Sequence, residues 1–517
     1  MSDLPHFGQA LRMNARLFPD KIGARDLGRQ MTFRHWNARA CQLANALIGL
    51  GLAKGDRVAV LAYNRIEWLE IYAATAKAGL VCVPVNFRLM AAEIRYIIEN
   101  SESRALIVED ALVERVEQVR GDLPIDSGNY ICIGHCPGYR QYEDVLEAGR
   151  DSEPDIAIGG TEPWALMYTS GTTGKPKGAI RSHQAGAMLS VHTDVEMGFG
   201  RNDAALLVMP MCHANSLYFM GAFTYVGASS FVYNMRSIDP EHLLRTISQA
   251  GASFTSLVPT HYIMMQALPE AVRSRYNVDR IRKLLVSSAP ARRDTKAATL
   301  EMFRNSGLYE LYGSTEAGWV TMLHPDEQFD KLGSVGKECA GTGPIRLLDA
   351  DGNDVKDGEV GELYSHTPYT FDGYWKMPEK TREAFRGNYC TVGDMARREA
   401  DGYYYLVDRK SNMIISGGEN IYPSEVENLL GSHDLVKEVA VIGMPDAKWG
   451  ERVHAVVILH DGQTTNETEI IDWCRDKIAG YKRPRSVSFI QDDEMPRTAT
   501  GKIQHRILRT KMSGAQT

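Results

Sequence analysis

The hydrophobic positions in the first part of the chain follow two different periods. In "GDRVAVLAYNRIEWLEIYAATAKAGLVCVPVN", short apolar runs at Val58–Ala62 and Val81–Val85 flank a segment, Ile66–Ala78, whose apolar residues recur with helical spacing. Gly79 stands where this helix is expected to end, because glycine readily adopts the left-handed conformation of a helix C-terminus. The pattern predicts a strand, a helix and a second strand, which together form a βαβ unit.

The same order recurs further along the chain. Apolar segments in "DAALLVMP" (203–210), "ASFTSLVPT" (252–260) and "IRKLLVSSAP" (281–290) each precede a stretch with helical periodicity. Strands that alternate with helices form parallel sheets whose two faces are both covered. The sequence therefore predicts an α/β fold with βαβ-type parallel sheets in a large N-terminal domain.

The pattern changes after about residue 340. Asp-Gly turns separate short alternating strands in "RLLDADGNDVKDGEVGELYSH", which indicates a β-rich subdomain. Beyond Arg409, strands are predicted in "EVAVIGMP", "VHAVVILH" and "SVSFI", and a helix in "ETEIIDWCRDKIAGY". This segment predicts a small α+β domain, so we expect an N-terminal domain at 1–409 and a C-terminal domain at 410–517.

Composition narrows the function classes. The 517 residues are 44% hydrophobic and 24% charged, as in ordinary globular proteins, and the net charge of -7 argues against a dedicated nucleic-acid binder. The eight cysteines show no CxxC spacing, so reduced thiols are expected rather than a disulfide framework or a zinc site. The N-terminus lacks a signal-like apolar core, and no apolar run approaches about 18 residues. We expect a cytoplasmic protein without a transmembrane segment; its oligomeric state stays open, with a homo-oligomer as one alternative.

The segment "TSGTTGKPKG" (169–178) combines three glycines, four hydroxyl side chains and two lysines. Glycines let backbone N–H groups approach a ligand closely and lysines add positive charge, so a polyphosphate is the expected ligand. It is not a Walker loop, because Pro176 follows Lys175, and the glycine spacing does not match a dinucleotide-binding turn. Taken alone, the segment could also be a flexible surface turn.

Three other regions carry residues that suit a nucleotide. "YGSTEAG" (312–318) supplies a ring for stacking, a hydroxyl and a carboxylate that can hold Mg²⁺. "VGDMAR" (392–397) and "DRK" (408–410) offer a carboxylate and a guanidinium for ribose hydroxyls, and "PRTATGKI" (496–503) places Lys502 after a glycine. Each alone could be a structural turn with a solvated charge.

Together these motifs carry a resemblance. "TSGTTGKPKG", "YGSTE", "TVGDMA", "DRKSNMIISGGENIYPSEVE" and "PRTATGK", in this order, resemble the adenylate-forming superfamily of acyl-CoA synthetases, nonribosomal-peptide adenylation domains and luciferases, most closely a bacterial fatty- or aryl-acid CoA ligase. The likeness covers nearly the whole chain. It implies that ATP activates a carboxylic acid as acyl-AMP, with release of pyrophosphate, and that the acyl group then passes to a thiol.

The resemblance also implies roles for individual residues. Lys502 would bridge the substrate carboxylate and the α-phosphate, Thr315 would bind the α-phosphate, and Glu316 would bind Mg²⁺. The remaining ATP-binding residues fall into three groups: phosphate-binding Thr169, Ser170, Gly171, Thr172, Thr173, Gly174 and Lys175; adenine-lining Ser288, Ala289, Pro290 and Tyr312; and ribose-binding Asp394 and Arg409.

The same resemblance predicts a CoA site and a hinge. The CoA-binding set is Gly417, Gly418, Trp449, Lys482, Arg483 and Arg485, for which a core tryptophan and a solvated basic turn are the alternative interpretation. The small domain of the family rotates between the two half-reactions, and the pivot position is Ser411 here, where Asp or Lys is frequent. We therefore expect a mobile C-terminal domain.

The predicted acyl pocket contains His213, Ser216, Phe219, Val258 and Gly313. No Asp, Glu, Lys or Arg occurs between Ala204 and Met235 or between Ala252 and Pro269, so a charged acyl group would lack a partner there. This favours an uncharged, apolar acid, with a fatty acid expected and an aryl or cyclic acid as the alternative. His213 could instead be a core histidine.

Other function classes share part of the motif set. An adenylating enzyme that loads a carrier protein and a luciferase-like monooxygenase share the ATP motifs, whereas a regulatory nucleotide-binding protein would need neither Glu316 nor Lys502. The sequence thus favours an ATP- and CoA-dependent acid–thiol ligase.

Overall fold

A computed structural model describes residues 4–169, 175–287, 291–417, 419–475, 477–498 and 502–514. The chain divides into two compact units. The first unit comprises Met1–Pro344 and Ser365–Cys390, and the second comprises Ile345–Tyr364 and Thr391–Thr517. The boundary that the sequence predicts after Arg409, between an N-terminal and a mobile C-terminal domain, stays a prediction.

The strands of the described residues are, in chain order, β1 (Ile22–Arg25), β2 (Gln30–Thr32), β3 (Arg57–Leu61), β4 (Val81–Val85), β5 (Ser103–Glu109), β6 (Tyr130–Ile133), β7 (Arg140–Gln141), β8 (Pro163–Thr169), β9 (Lys177–Ser182), β10 (Ala204–Leu207), β11 (Ser229–Val232), β12 (Phe254–Leu257), β13 (Lys283–Ser287), β14 (Gly307–Ser314), β15 (Gly318–Leu323), β16 (Lys337–Glu338), β17 (Arg346–Leu348), β18 (Val360–Tyr364), β19 (Phe385–Arg386), β20 (Tyr389–Cys390), β21 (Asp394–Arg398), β22 (Tyr404–Arg409), β23 (Ile414–Ser416), β24 (Glu419–Ile421), β25 (Val436–Asp446), β26 (Gly450–Leu459) and β27 (Ser486–Phe489).

The α-helices of the same residues are α1 (Phe7–Leu17), α2 (Phe33–Gly49), α3 (Glu67–Ala78), α4 (Ala91–Ser101), α5 (Val113–Glu117), α6 (Tyr142–Ala148), α7 (His183–Met197), α8 (Ala214–Tyr225), α9 (Pro240–Ala250), α10 (Pro259–Gln266), α11 (Glu270–Arg273), α12 (Arg293–Met302), α13 (Pro378–Ala384), α14 (Pro423–Leu430), α15 (Glu467–Trp473) and α16 (His505–Met512).

Two large sheets build the first unit. Within the described residues, one has the order β7-β6-β5-β3-β4-β8-β9 and the other the order β16-β15-β14-β13-β12-β10-β11-β1-β2. The central pairs of both sheets are parallel, and antiparallel pairs occur at the ends, as between β8 and β9. The predicted βαβ unit is β3-α3-β4, and Gly79 ends α3 in the left-handed conformation with φ 64°.

Helix α3 is buried along its whole length, including its charged residues. Buried charges need partners, and this helix has them: Glu70 pairs with Arg39 at 2.7 Å, and Lys77 pairs with Glu153 at 2.7 Å. The helical spacing of apolar residues that predicts α3 therefore belongs to a helix in the interior of the unit, and no face of this helix is solvated.

The second unit contains two smaller sheets. The antiparallel sheet β17-β18-β21-β22 corresponds to the predicted β-rich subdomain. The other has the order β24-β23-β26-β25, with β27 parallel to β26. Parallel sheets, a β-rich subdomain and a small α+β segment confirm the predicted fold class.

Two local expectations were wrong. The predicted helix in "ETEIIDWCRDKIAGY" ends at Trp473, because Arg475 N donates to Asp472 O at 2.9 Å and Cys474 N to Ile471 O at 3.2 Å, and such i to i-3 bonds tighten the chain into turns. Cys132 and Cys136 are joined by a disulfide, since the turn after β6 brings their Cα atoms to 6.1 Å. The other six cysteines are free and buried.

Candidate active site

The two ends of the glycine-rich segment lie on adjacent antiparallel strands, β8 and β9. Thr169 ends β8, and Lys175 of the same segment has its ammonium group 5.4 Å from the centre of the Tyr96 ring. The Tyr96 hydroxyl donates to the Pro176 carbonyl at 3.1 Å, which fixes the chain where it enters β9. The predicted phosphate-binding residues Ser170, Gly171, Thr172, Thr173 and Gly174 lie outside the described residues.

The acidic motif "YGSTEAG" forms the turn between β14 and β15. Glu316 is buried, and its Oε1 accepts hydrogen bonds from the Tyr374 hydroxyl at 2.9 Å and from Thr169 Oγ1 at 3.3 Å. The structure thus brings the first residue of the glycine-rich segment to the predicted Mg²⁺ ligand. Thr315 lies beside them, and its carbonyl accepts a bond from the Tyr218 hydroxyl at 3.3 Å.

A buried arginine holds this turn from behind. Arg181, on β9, is 1% exposed, and its guanidinium donates to the carbonyls of Thr315 and Glu316, each at 3.2 Å, and to the Tyr369 carbonyl at 2.7 Å. Sequence reasoning missed Arg181. A signal was present, because Arg181 lies among the small or apolar residues Gly178, Ala179, Ile180 and Ser182 of this strand and so needs a buried partner.

One of the predicted adenine-lining residues lies on β14, which pairs in parallel with β13. Tyr312 lies on β14 and is half-buried, while Ser288, Ala289 and Pro290 lie outside the described residues. A buried ion pair joins α12 to the same strand: Lys296 Nζ is 2.5 Å from Glu310 Oε2, and Glu310 Oε1 accepts a hydrogen bond from Ala291 N at 3.4 Å. Glu310 of β14 therefore holds both α12 and the residue Ala291 that precedes it.

The predicted acyl residues cluster around α8. Phe219 is buried in the main core, with its ring centre 4.6 Å from that of Phe254 and 5.4 Å from the Trp319 ring. Ser216 is also buried, and its hydroxyl donates to the Met209 carbonyl at 2.6 Å. Both side chains are thus engaged in packing or local hydrogen bonding.

Two of the other predicted acyl residues stand just before helices, and the third lies in a strand. His213 caps the N-terminus of α8, and Val258 caps the N-terminus of α10. Gly313 is exposed at a bulge of β14, where a Cβ atom would lie 2.3 Å from the Gly318 carbonyl oxygen. Glycine is therefore required at 313 by the close approach of the two strands.

In the second unit, the predicted ribose-binding pair and the predicted catalytic lysine share one neighbourhood. Asp394 and Arg409 face each other on β21 and β22, with Arg409 Nε 3.1 Å from Asp394 Oδ1. The backbone N–H of Lys502 donates a hydrogen bond to Thr498 Oγ1 at 3.1 Å. Desolvation by surrounding atoms and the charge of Arg409 both lower the pKa of Lys502, whereas Asp394 raises it.

The predicted hinge follows this pair directly. Ser411 lies in an exposed turn, in which Asn412 N donates to the Arg409 carbonyl at 2.9 Å. On one side of it, Lys410 pairs with Glu362 of β18 at 2.8 Å. Asp408 accepts bonds from Asn412 Nδ2 at 3.1 Å and from Ser424 N at 2.9 Å, so polar contacts hold both flanks of the turn.

Part of the predicted CoA set converges on Trp449. The Arg485 guanidinium lies 4.7 Å from the centre of the Trp449 ring, and Gly417 N donates to the Trp449 carbonyl at 2.8 Å. Gly417 has φ 62°, and a Cβ atom there would lie 2.8 Å from the indole, so only glycine fits. Lys482 pairs instead with Glu425, Arg483 is half-buried, and Gly418 lies outside the described residues.

Comparisons with known proteins agree with this arrangement. A family model described as AMP-binding enzyme matches residues 11–375, and one described as AMP-binding enzyme C-terminal domain matches residues 425–502. The chain belongs to the AMP-binding enzyme family. The predicted resemblance to adenylate-forming enzymes of the CoA-ligase type is thereby confirmed.

Relatives of this AMP-binding enzyme align over nearly their whole length. It is 35% identical to a feruloyl-CoA synthase of Amycolatopsis over 95% of both chains. It is 32% identical to a long-chain-fatty-acid–CoA ligase of Mycobacterium tuberculosis, over 94% of this chain and 93% of that one. The solved structure of an anthranilate CoA ligase with anthranoyl-AMP matches with a TM-score of 0.88 at 29% identity, covering 99% and 98% of the two chains. The protein is an AMP-forming acid–thiol ligase that uses ATP and CoA.

Among the described residues, no cluster of three or more His, Cys, Asp or Glu side chains is arranged to hold a metal ion. In the same part of the chain, no helix has the length and apolarity needed to cross a bilayer.

Proposed function

We propose that this enzyme joins a carboxylic acid, whose acyl chain or ring carries no further charge, to CoA in two steps. In the first step, a carboxylate oxygen attacks the α-phosphorus of ATP, the bond from that phosphorus to the β-phosphate oxygen breaks, and pyrophosphate leaves. In the second step, the CoA sulfur attacks the acyl carbon, AMP leaves, and the thiol proton is released. The carboxylic acid is already ionised at neutral pH, so the first step needs no general base.

The observation that carries the proposal is the facing pair Asp394 and Arg409, joined at 3.1 Å, and the charges of both residues act on Lys502. A carboxylate that attacks a phosphate brings two anions together, so a cation held at that point lowers the barrier. Asp394 and Arg409 suit ribose hydroxyls, because one accepts and the other donates hydrogen bonds. Lys502 would then lie where the α-phosphate and the substrate carboxylate meet.

The first unit supplies residues that fit the triphosphate and Mg²⁺. The buried Glu316 carboxylate is a hard oxygen ligand, and Mg²⁺ is commonly held by one or two carboxylates together with substrate phosphates. Bound Mg²⁺ would neutralise phosphate charge. Arg181 fixes Glu316 and Thr315 through their carbonyls, so the carboxylate and hydroxyl are held in place before substrate binds.

The acid itself is proposed only as a class. The lack of acidic and basic residues in 204–235 and 252–269 supports an uncharged acyl group, for which a fatty acid is the leading expectation. The relatives named for feruloyl, long-chain-fatty and anthranilate substrates make an aryl acid the direct alternative. Loading of a carrier protein is a further alternative, and it predicts no thioester with free CoA.

Lys502→Ala tests the proposal. We expect adenylation, followed as exchange of pyrophosphate into ATP, to fall by about 10²–10³-fold, because a charge that stabilises the transition state is lost. Thioester formation from supplied acyl-AMP and CoA should stay close to the wild-type rate. Lys511→Ala, an exposed lysine on α16, is the matched control and should affect neither step. Equal losses in both half-reactions would contradict the role of Lys502.

A further inference from the structure

Two buried imidazole nitrogens near the predicted acyl pocket have no hydrogen-bond partner in the part of the chain that the structure describes. They are Nε2 of His213 and Nδ1 of His261. A buried polar atom without a partner is costly, and native structures rarely keep one unless a ligand or water satisfies it. Two such atoms on neighbouring elements therefore point to a bound polar group.

The topology brings these two histidines to one edge of the nine-stranded sheet. His213 follows β10 and caps α8, and His261 lies in the first turn of α10, directly after β12. Strands β10 and β12 are parallel neighbours, with Ala205 paired to Phe254. Both histidines thus follow the carboxyl ends of adjacent parallel strands, which is where ligands bind in open α/β sheets.

Other polar but uncharged side chains line the same edge. Asn215 Nδ2 donates to Ser256 Oγ at 3.0 Å and to Ser287 Oγ at 3.1 Å, joining α8 to the ends of β12 and β13. One turn further into α8, Phe219 packs on Phe254. This edge therefore has a polar rim above an aromatic interior, and Asn215, Ser256 and Ser287 extend the polar part of the predicted acyl pocket, His213 and Ser216.

Both imidazoles are neutral at physiological pH. Burial lowers the pKa of His213 to about 4 and that of His261 to about 4, and the positive charge of Arg88 lowers both further. A neutral imidazole has one nitrogen that donates and one that accepts a hydrogen bond. Such rings suit a hydroxyl group, which both donates and accepts, better than a carboxylate.

We propose that His213 and His261 recognise a neutral hydroxyl group on the acyl part of the substrate. The preferred acid is therefore hydroxylated, and an unsubstituted chain or ring leaves the two nitrogens unpaired. The inference rests on the proposed function, since it takes this sheet edge as the place of the acyl group. A hydroxyl on an aromatic ring and one on an aliphatic chain share this chemistry, and the experiment separates them.

The test compares matched acids by CoA-dependent AMP release. The pairs are 4-hydroxycinnamic against cinnamic acid and 8-hydroxyoctanoic against octanoic acid, and 4-carboxycinnamic acid adds a distal anion. For one pair we expect the hydroxylated acid to have a kcat/KM at least about tenfold higher, because a site built to bond a hydroxyl disfavours the analogue that lacks it. The pair that shows the preference identifies the ring or the chain.

Variants connect the preference to the two histidines. His261→Leu and His213→Leu should each reduce the ratio of the two kcat/KM values to within about twofold of unity, mainly through a higher KM for the hydroxylated acid. His261→Gln, which can still donate and accept, should retain part of the preference. His35→Leu, an exposed histidine on α2, is the control and should leave the preference intact.

Three results would overturn the inference. The first is equal kcat/KM within both pairs in an enzyme that forms the thioester. The second is a hydroxyl preference that survives in both leucine variants. The third is a preference for the distal carboxylate, which would assign the site to Arg88 instead. If none of the five acids gives CoA-dependent AMP release, the proposed function falls and this inference with it.

Discussion

Arg181→Met removes the three hydrogen bonds by which a buried guanidinium holds the Thr315–Glu316 turn and the Tyr369 carbonyl. Methionine is unbranched, flexible and uncharged and reaches about as far as the arginine Nε, so it fills the part of this space next to β9 and brings no donor to the three carbonyls. The two carbonyls of the turn then lose their common donor. The variant therefore asks whether Glu316 and Thr315 keep their positions without Arg181.

The magnitude follows from the three distances. A hydrogen bond from a charged donor contributes about 1.5–3 kcal/mol, and the two 3.2 Å bonds belong at the low end while the 2.7 Å bond belongs at the high end. Removing a buried charge also removes its desolvation cost of several kcal/mol, which offsets part of the loss. We expect a net loss of about 2–4 kcal/mol in the free energy of unfolding.

The effect on catalysis should exceed the effect on stability. A shift of about 1 Å in Thr315 and Glu316 is enough to lower the adenylation rate by about 10²-fold. Pyrophosphate exchange is measured well below the melting temperature, so that the folded fraction is the same for all variants. Arg181→Lys keeps the charge but cannot reach three carbonyls, and it should fall between the wild type and Arg181→Met.

The control for this experiment is Arg16→Met, an exposed arginine on α1 that should change neither stability nor exchange. Our reasoning would be refuted by an Arg181→Met enzyme that unfolds at the wild-type temperature and exchanges pyrophosphate at the wild-type rate. Loss of stability with a normal exchange rate would mean that Arg181 supports the fold but does not position the turn.

Two further predictions address the remaining parts of the site. Trp449→Ala should raise the KM for CoA by about tenfold with little change in the KM for ATP, because Arg485 and Gly417 lose the ring on which they pack. Steady-state kinetics measure both constants, and an unchanged KM for CoA would count against the predicted CoA site. Lys296→Met should lower the free energy of unfolding, measured in urea, by about 3–5 kcal/mol, because Glu310 is left buried without its partner. Adding Glu310→Gln should recover most of that loss. A double variant as unstable as Lys296→Met alone would contradict this account.

Much of the fold could be predicted from local patterns. The alternation of apolar runs with helical periods predicts β3-α3-β4 almost to the residue, and the Asp-Gly turns predict the antiparallel sheet of β17, β18, β21 and β22. Each pattern can be read within a single element, because the positions that face the interior recur with the period of the strand or helix and are apolar. Helix ends are less well determined, and the end of α15 at Trp473 shows this.

The candidate site could be predicted only where short motifs carry its chemistry. The placement of Glu316 beside Thr169 and of Lys502 near Asp394 agrees with the resemblance, although the roles of these residues stay predictions. Arg181 was missed because its partners lie more than 130 residues away along the chain. No local period indicates which carbonyls a buried guanidinium will meet.

The sequence by itself determined which segments form strands and helices, and which short motifs carry phosphate, ribose and carboxylate chemistry. Only the tertiary structure decided which segments become neighbours. Strand β10 lies between β11 and β12, and this order brings His213, His261 and the Asn215–Ser256–Ser287 cluster to one sheet edge. Strand order depends on how whole βαβ units pack against each other, and the hydrophobic pattern of a single unit is the same for several orders.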